Sequence, residues 1–405
     1  MSNKLKVAIY SGDIPSTTFI ERLVLGLARN GCEVFLFGFF KNKVSHPTGV
    51  RVVGYHNTKF GKLCHLLWYS FLLTLFRYRD KKKLDRLLQD HNSNHLKFKV
   101  KAYPVLWHRP DMFHLQWAKG LKDWMWVQDF GIKLVLSLRG AHINYSPIAD
   151  TELAESYTAN FPKVDGFHAV SNAIASKAIH YGAPNNNISV IYSGLDMETF
   201  QVLKSTNHAD IFQIVSVGRP HWIKGYHYAL GACHILKQRG IQFNYTIVGG
   251  AGDLELLYQV RDLGLEMEVT LLPHKPYEAV KQLIKDASVL LLPSVEEGVA
   301  NVVLEAMALG TLVLSTNCGG MAEVIESEVN GFLVPIRNPD AIARKLIHIM
   351  ELSKIDKQHI TAEALDTVNK QHQMDVMISR MIRLYRQVLN DSNHAHKGNN
   401  NNEKL

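Results

Sequence analysis

The sequence predicts an α/β chain folded as two doubly wound domains, and three observations carry that prediction. Short apolar runs alternate with helix-patterned segments through the first half: K-V-A-I-Y from Lys6, a helical pattern over Phe19–Asn30, E-V-F-L-F from Glu33, then D-M-F-H-L, K-L-V-L-S-L and G-F-H-A-V-S. Strands that are apolar on both faces and separated by helices indicate a parallel sheet covered on both sides. The alternation restarts after Tyr192–Phe200 and the polar K-S-T-N-H-A-D, in I-F-Q-I-V-S-V-G, Y-T-I-V-G-G, V-T-L-L-P, S-V-L-L-L-P and T-L-V-L-S. The length of 405 residues agrees, because about 150 residues per domain gives two or three domains.

The expected boundaries are 1–195 for the first domain and 196–375 for the second, with a final helical pattern over Val376–Leu389 packing back on the first. Residues 390–405 are polar and low in complexity, so a disordered tail is expected. In open α/β sheets ligands bind beyond the carboxyl ends of the strands. The loops to read therefore follow Tyr10, Leu138, Val217, Val248 and Leu292, and they are expected to face each other across a cleft.

Composition is that of a globular protein, with 46% hydrophobic and 20% charged residues. Cys32, Cys64, Cys233 and Cys318 form no C-x-x-C pair, which argues against a zinc site or a disulfide framework and fits a reducing cytoplasm. The opening M-S-N-K-L-K-V-A-I-Y leaves no room for a signal peptide before the first strand, so a cytoplasmic location is expected. The net charge of +8 is unevenly spread: residues 1–195 hold 25 Lys+Arg against 13 Asp+Glu (+12), and the rest hold 20 against 24 (−4). Such a split suggests that the first half meets an anionic surface or substrate.

The basic excess is densest over Lys59–Arg86, where eight Lys/Arg and two Asp surround the 14-residue stretch Leu63–Phe76. A spanning helix needs about 20 apolar residues, so this stretch cannot cross a bilayer but can lie on one. Leu66, Leu67, Phe71, Leu75 and Tyr78 fall at helix-compatible spacing. The alternative is a core helix with a solvated basic end. The first reading places the protein peripherally on the inner face of a membrane.

Chemistry concentrates in two stretches of the second half. S-V-G-R-P-H-W-I-K-G (Ser216–Gly225) carries Arg219 and Lys224 off the end of a strand, with Gly218 and Gly225 allowing tight turns. Two fixed cations at a sheet edge suit a diphosphate, whose departure builds negative charge. S-V-E-E-G-V-A-N-V-V-L-E-A-M-A-L-G (Ser294–Gly310) places Glu297 before a helix and Glu305 about two turns inside it. Chance alone supplies roughly one Glu pair at this spacing, so context decides. Gly298 and the N–H groups near Val299, Ala300 and Asn301 would seat a phosphate or sugar oxygen. Glu305 stands among Leu304, Ala306, Met307 and Ala308, an awkward place for a merely solvated charge. G-G-A-G-D-L-E-L-L from Gly249 lacks the dinucleotide fingerprint and reads only as a turn.

These stretches, with G-G-M-A-E-V-I-E-S-E-V-N-G-F-L-V-P (Gly319–Pro335) and I-Y-S-G-L-D-M-E-T-F (Ile191–Phe200), resemble the retaining glycosyltransferases of family 4, which have the two-domain GT-B fold of Rossmann-like domains. P-S-T-T-F-I-E-R-L-V-L-G-L-A-R-N-G-C-E-V (Pro15–Val34) resembles the opening of members that build bacterial polysaccharides. The resemblance implies that Arg219 and Lys224 hold the donor diphosphate, that Glu297 contacts the transferred sugar and that Glu305 binds the ribose diol. It implies an acceptor-side first domain and a nucleotide-sugar-binding second one. No D-x-D occurs, which agrees with leaving-group neutralisation by Arg, Lys and a helix N-terminus without a metal or other cofactor. In L-S-L-R-G-A-H-I-N the chain departs from the family: Arg139 stands where His is common, and His142 where many members have Asp. Either could contact the sugar or the donor phosphate. Gly12 should let the first loop approach the diphosphate closely.

The expected function is thus transfer of a sugar from a nucleotide-sugar to a glycan or lipid-linked acceptor. The alternatives are a nucleotide-sugar epimerase or hydrolase on the same fold, and a non-catalytic protein that uses its basic half on a membrane or on nucleic acid. The Arg219, Lys224, Glu297 and Glu305 set speaks against the last, and no nucleic-acid partner is expected.

Overall fold

The computed structural model describes residues 4–42, 45–91, 95–200 and 211–399. The chain divides into two compact units, the first comprising Met1–Val170, Ile174–Ile191 and Met377–Leu405 and the second Ser171–Ala173 and Tyr192–Val376. Residues 192–195 thus fall with the second unit. Leu195 N–H donates to His372 O at 2.7 Å and Met374 N–H to Leu195 O at 3.0 Å, which ties that segment there. The polar stretch 204–210 lies outside the described residues.

The first unit is built on seven parallel strands, β1 (Lys6–Ile14), β2 (Glu33–Phe40), β3 (Val50–His56), β4 (Met112–Leu115), β5 (Lys133–Leu138), β6 (Gly166–Ala169) and β7 (Ile188–Val190). Their order is β3-β2-β1-β4-β5-β6-β7. The second has β8 (Phe212–Val217), β9 (Phe243–Val248), β10 (Val269–Leu272), β11 (Val289–Leu292), β12 (Leu312–Thr316) and β13 (Phe332–Val334), ordered β10-β9-β8-β11-β12-β13 and again parallel throughout. Both sheets are doubly wound and Rossmann-like.

The longer helices are α1 (Thr18–Arg29), α2 (Lys59–Phe76), α3 (Tyr78–His91), α4 (His95–His108), α5 (Thr151–Asn160), α6 (Asn172–His180), α7 (Tyr226–Gln238), α8 (Leu254–Asp262), α9 (Tyr277–Asp286), α10 (Asn301–Leu309), α11 (Pro339–Glu351), α12 (Lys354–Gln371) and α13 (Met374–Asn399).

Three departures from the sequence reading have physical causes. β1 does not end at Tyr10: it shifts register between Tyr10 and Gly12 and stays paired with β2 to Ile14. Gly12 has φ +95°, a backbone state that glycine reaches without cost, so it sits inside a bulged strand and not in a free loop. The strands β3, β7 and β13 lack the long apolar run of a central strand because each lies at or next to a sheet edge. The expectation of disorder from residue 390 is corrected as far as Asn399, to which α13 continues. Extending a helix already anchored by packing needs no new nucleus. Residues 400–405 lie outside the described residues.

The C-terminal helix belongs to the first unit by packing. A Cβ at Gly26 would meet Ile378 Cδ1 at 2.4 Å, so α1 and α13 approach closely there and a larger residue would require the Ile378 side chain to move. The same helix completes a buried polar chain under the sheet. His168 Nε2 faces the Ile191 carbonyl at 3.0 Å, which can only accept, so that nitrogen carries the proton. Burial lowers the His168 pKa to about 3 and pushes that of His114 well below its usual value, so both rings are neutral. Ser137 Oγ therefore donates to His168 Nδ1 (2.8 Å) and accepts from His114 Nε2 (2.8 Å), and the Tyr385 hydroxyl donates to His114 Nδ1 (2.7 Å). One backbone carbonyl fixes every proton in the chain. Tyr385→Phe should leave His114 Nδ1 buried without a donor and lower the stability of the first unit by about 1–3 kcal/mol. An unchanged denaturation midpoint would show that the hydroxyl contributes nothing.

Candidate functional site

In the second sheet β8, β9 and β10 spread to one side and β11, β12 and β13 to the other, so the winding reverses between β8 and β11. Ligands of open α/β sheets sit beyond the carboxyl ends at such a reversal. The loops that leave there, Gly218–Gly225 and Pro293–Ala300, are the two stretches singled out by sequence. They are locked together: Val295 N–H donates to Ile223 O at 2.7 Å, and a Cβ on Gly225, φ +64°, would lie 2.1 Å from Pro293 O.

The charged side chains meet as follows. Lys224 Nζ donates to Glu297 Oε1 at 2.6 Å, and Ser294 Oγ donates to the same oxygen at 3.0 Å. Lys224 and Glu297 are both half-buried. Arg219 is exposed and has no hydrogen-bond or ion-pair partner among the described residues. Glu305 is only 9% exposed, and the Tyr277 hydroxyl on α9 donates to its Oε1 at 3.0 Å.

Helix termini add to this field. The helices α7 and α10, which begin at the reversal, start from Gly225 and Ala300, and neither residue supplies a side-chain cap. Of the other long helices of this unit, α8, α11 and α12 are capped by Asp253, Asn338 and Ser353, and α9 starts from Pro276 without a side-chain cap. A missing side-chain cap costs about 0.5–2 kcal/mol with Ala at that position and only a few tenths with Gly, and it leaves N–H groups with partial positive charge at the helix start. The turn at Gly298, Val299, Ala300 and Asn301 therefore presents donors, and Asn301 Oδ1 is itself buried without a hydrogen-bond partner among the described residues. The Gly249 turn differs, because Asp253 accepts from Leu256 N–H and closes the start of α8.

Several contributors carry no signal of their own in the sequence. Ser294 and Tyr277 are ordinary in context, and only folding sets them against Glu297 and Glu305. Gly319 follows β12 with φ +52°, and a Cβ there would lie 1.8 Å from Glu297 O. Gly320 N–H donates to Gly298 O at 2.8 Å. The G-G pair thus fixes the backbone under Glu297. Glu323 accepts from the N–H groups of Asn172 (2.7 Å) and Ala173 (2.8 Å) and from the Tyr192 hydroxyl (2.9 Å), all within the second unit.

The first unit has its own reversal, between β1 and β4. Gln116, fully buried after β4, donates from its N–H to Tyr10 O at 3.1 Å, and the Trp117 indole donates to Ser11 O at 3.0 Å. Arg139, after β5, lies 4.4 Å over the Phe19 ring and donates to Gln116 Oε1 at 3.2 Å. Burial lowers its pKa to about 10, so it stays charged at neutral pH. His142 lies beside the Trp117 ring at 5.2 Å, and burial, with Lys119 nearby, lowers its pKa to about 4, so it is neutral. Gln116 Nε2, Arg139 Nε and His142 Nδ1 are buried without a hydrogen-bond partner among the described residues. Gln116 lies in no motif and is found only by the fold.

Comparison with known proteins places this architecture. A Glycosyltransferase Family 4 model matches residues 16–199, and a Glycosyl transferases group 1 model matches residues 200–365. The putative colanic acid biosynthesis glycosyltransferase WcaL of Escherichia coli K12 is 31% identical over 57% of this chain and 59% of its own length. The amylovoran biosynthesis glycosyltransferase AmsK of Erwinia amylovora is 35% identical over 54% and 55%. The chain thus spans little more than half the length of these relatives. Among solved structures, sucrose-phosphate synthase of Thermosynechococcus elongatus superposes with TM-score 0.76 at 17% identity, over 96% of this chain and 100% of that one. Anabaena HepE in complex with UDP and glucose does so with TM-score 0.70 at 18% identity, over 95% and 100%. Both are likenesses of fold. The two family matches meet end to end over residues 16–365, and the chain belongs to the glycosyltransferases, as a family 4 domain followed by a group 1 domain.

Proposed function

We propose that this chain transfers a sugar from a nucleotide-sugar to a glycan or lipid-linked acceptor, with retention of anomeric configuration, in the building of a surface polysaccharide. The reading is carried by one observation: at the reversal of the second sheet Lys224 meets Glu297, with Arg219 on the same loop as Lys224 and two helices starting there without side-chain caps. The names of the colanic acid and amylovoran relatives support the polysaccharide setting.

In this reading Arg219 and Lys224 hold the donor diphosphate, and Gly218 with the turn from Gly298 to Asn301 gives the phosphates room and N–H donors. Glu297 accepts hydrogen bonds from the transferred sugar, and Glu305, oriented by Tyr277, from the ribose diol. The contact of Lys224 with Glu297 then sets phosphate and sugar side by side. The acceptor hydroxyl attacks the anomeric carbon on the face that the phosphate leaves. The carbon–oxygen bond breaks towards the nucleoside diphosphate, whose oxygen takes the acceptor proton, and the fixed cations stabilise the charge that develops. On the first unit, Gly12 and either Arg139 or His142 are the residues assigned to the donor phosphate or the sugar. Positive charge supplied in this way requires no metal.

Labelled UDP-, GDP- and ADP-sugars tested for binding would identify the donor. Donor incubated without acceptor should persist, and its rapid loss would favour an epimerase or hydrolase. Arg219→Ala or Lys224→Ala should lower turnover by ~10²-fold or more with folding intact, the scale of removing one preorganised charge stabiliser. A near-normal rate for either variant counts against the site. Glu305→Gln should weaken binding of the free nucleotide, while Glu297→Gln should slow transfer and leave that affinity in place; the opposite pattern would exchange the two roles. Turnover should be unchanged by a chelator, and a loss restored by a divalent cation would overturn the metal-independent reading.

A further inference from the structure

Helix α2 shows apolar side chains to both sides. Tyr69 and Leu73 are buried, and Leu66 and Leu72 pack against the core of the first unit. Leu63, Leu67, Trp68, Phe71, Leu75 and Phe76 face outward, with Phe71 59% and Phe76 66% exposed. Their spacing repeats every three to four residues, so they form one stripe along the helix. No charged residue interrupts the chain between Leu63 and Phe76. A contiguous exposed apolar patch of this kind marks an interaction surface. Among the described residues no helix is long and apolar enough to cross a membrane.

The next helix supplies the second observation. On α3, Arg79, Lys82 and Arg86 are exposed at i, i+3 and i+7, which is one helical face, and Lys83 beside them donates to Asp129 O at 2.5 Å and lies over the Phe130 ring. With Lys83 and Leu87 the three line a cavity of about 300 Å³. Lys81 is not part of this row, because it turns to Asp85 at 3.5 Å and to the Tyr103 ring. An apolar stripe followed directly by a cationic row matches a boundary between acyl chains and phosphate headgroups, whereas a neutral protein partner would leave the row uncompensated.

We propose that α2 lies in the surface of an anionic phospholipid bilayer, its outward stripe among the acyl chains and the α3 row on headgroup phosphates. The proposal uses no donor-site residue and stands apart from the glycosyl-transfer reading.

The full chain is sedimented with vesicles of phosphatidylcholine alone and of phosphatidylcholine mixed with phosphatidylglycerol, at low and high salt. Binding to the mixed vesicles that weakens as salt rises is expected. Leu67→Ser with Phe71→Ser should reduce it at least about tenfold, because two large side chains no longer leave water. Lys82→Gln with Arg86→Gln should reduce it about tenfold through the headgroup term. All four side chains are exposed, so an unchanged circular dichroism spectrum should accompany both variants. Equal binding to both vesicle types, binding to neither, or retention by the serine variant would overturn the proposal. So would a concentration-dependent dimer, seen by light scattering, that the serine variant dissolves, since the stripe would then belong to a second copy of the chain.

Discussion

A sheet in which every strand is parallel needs a crossover between each pair, and the crossover helices cover both of its faces. Both sheets of this chain obey that constraint, and the placement of everything polar follows from it. The strand interiors are apolar, and polar chemistry is pushed to the carboxyl edges, where Arg219, Lys224 and Glu297 in one unit and Gln116, Arg139 and His142 in the other all sit. The few polar groups left beneath a sheet have to be satisfied in full. His114, Ser137, His168 and Tyr385 meet that demand with a chain of donors that ends on the Ile191 carbonyl. It also accounts for the return of the C-terminal helix to the first unit.

At the reversal of the second sheet the balance of charge is deliberate in its asymmetry. Lys224 and Glu297 neutralise each other and are steadied by Ser294, whereas Arg219 stands outward as a cation. Ala300 and Gly225 open the helices that start there, although Asp, Asn and Ser cap neighbours in the same unit. Foregoing caps costs stability, and the loss is tolerated where N–H groups serve a ligand. Gly319, pressed on the Glu297 carbonyl, adds rigidity from below.

The outward stripe of α2 departs from the rest of the first unit, where exposed large apolar side chains such as Ile148 and Ile179 stand singly. Its inner side is already packed, so burial in the chain's own core does not account for the outer one. The sequence pointed to this segment, but it grouped Leu66 with Leu67. Only the fold separates the residues that pack inward from those left in contact with solvent.

By itself the sequence determined the class of fold, because period and apolar run length are local properties: central strands such as Lys133–Leu138 are apolar on both faces whatever surrounds them. It also determined the residues that carry charge off the strand ends, since the stretches Ser216–Gly225 and Ser294–Gly310 each hold their cations or carboxylates within a few residues. What it left open depends on partners distant in the chain. Edge strands such as β3 lack the run that marks central ones, and Gly12 reads as a turn until its register with β2 is seen. Tertiary structure alone set Tyr277 on Glu305, Gln116 under Arg139, and Tyr385 on His114 across 271 residues of chain. Those contacts depend on strand order, and local pattern separates edge strands from central ones without saying which central strands are neighbours, because every central position buries both faces of its strand.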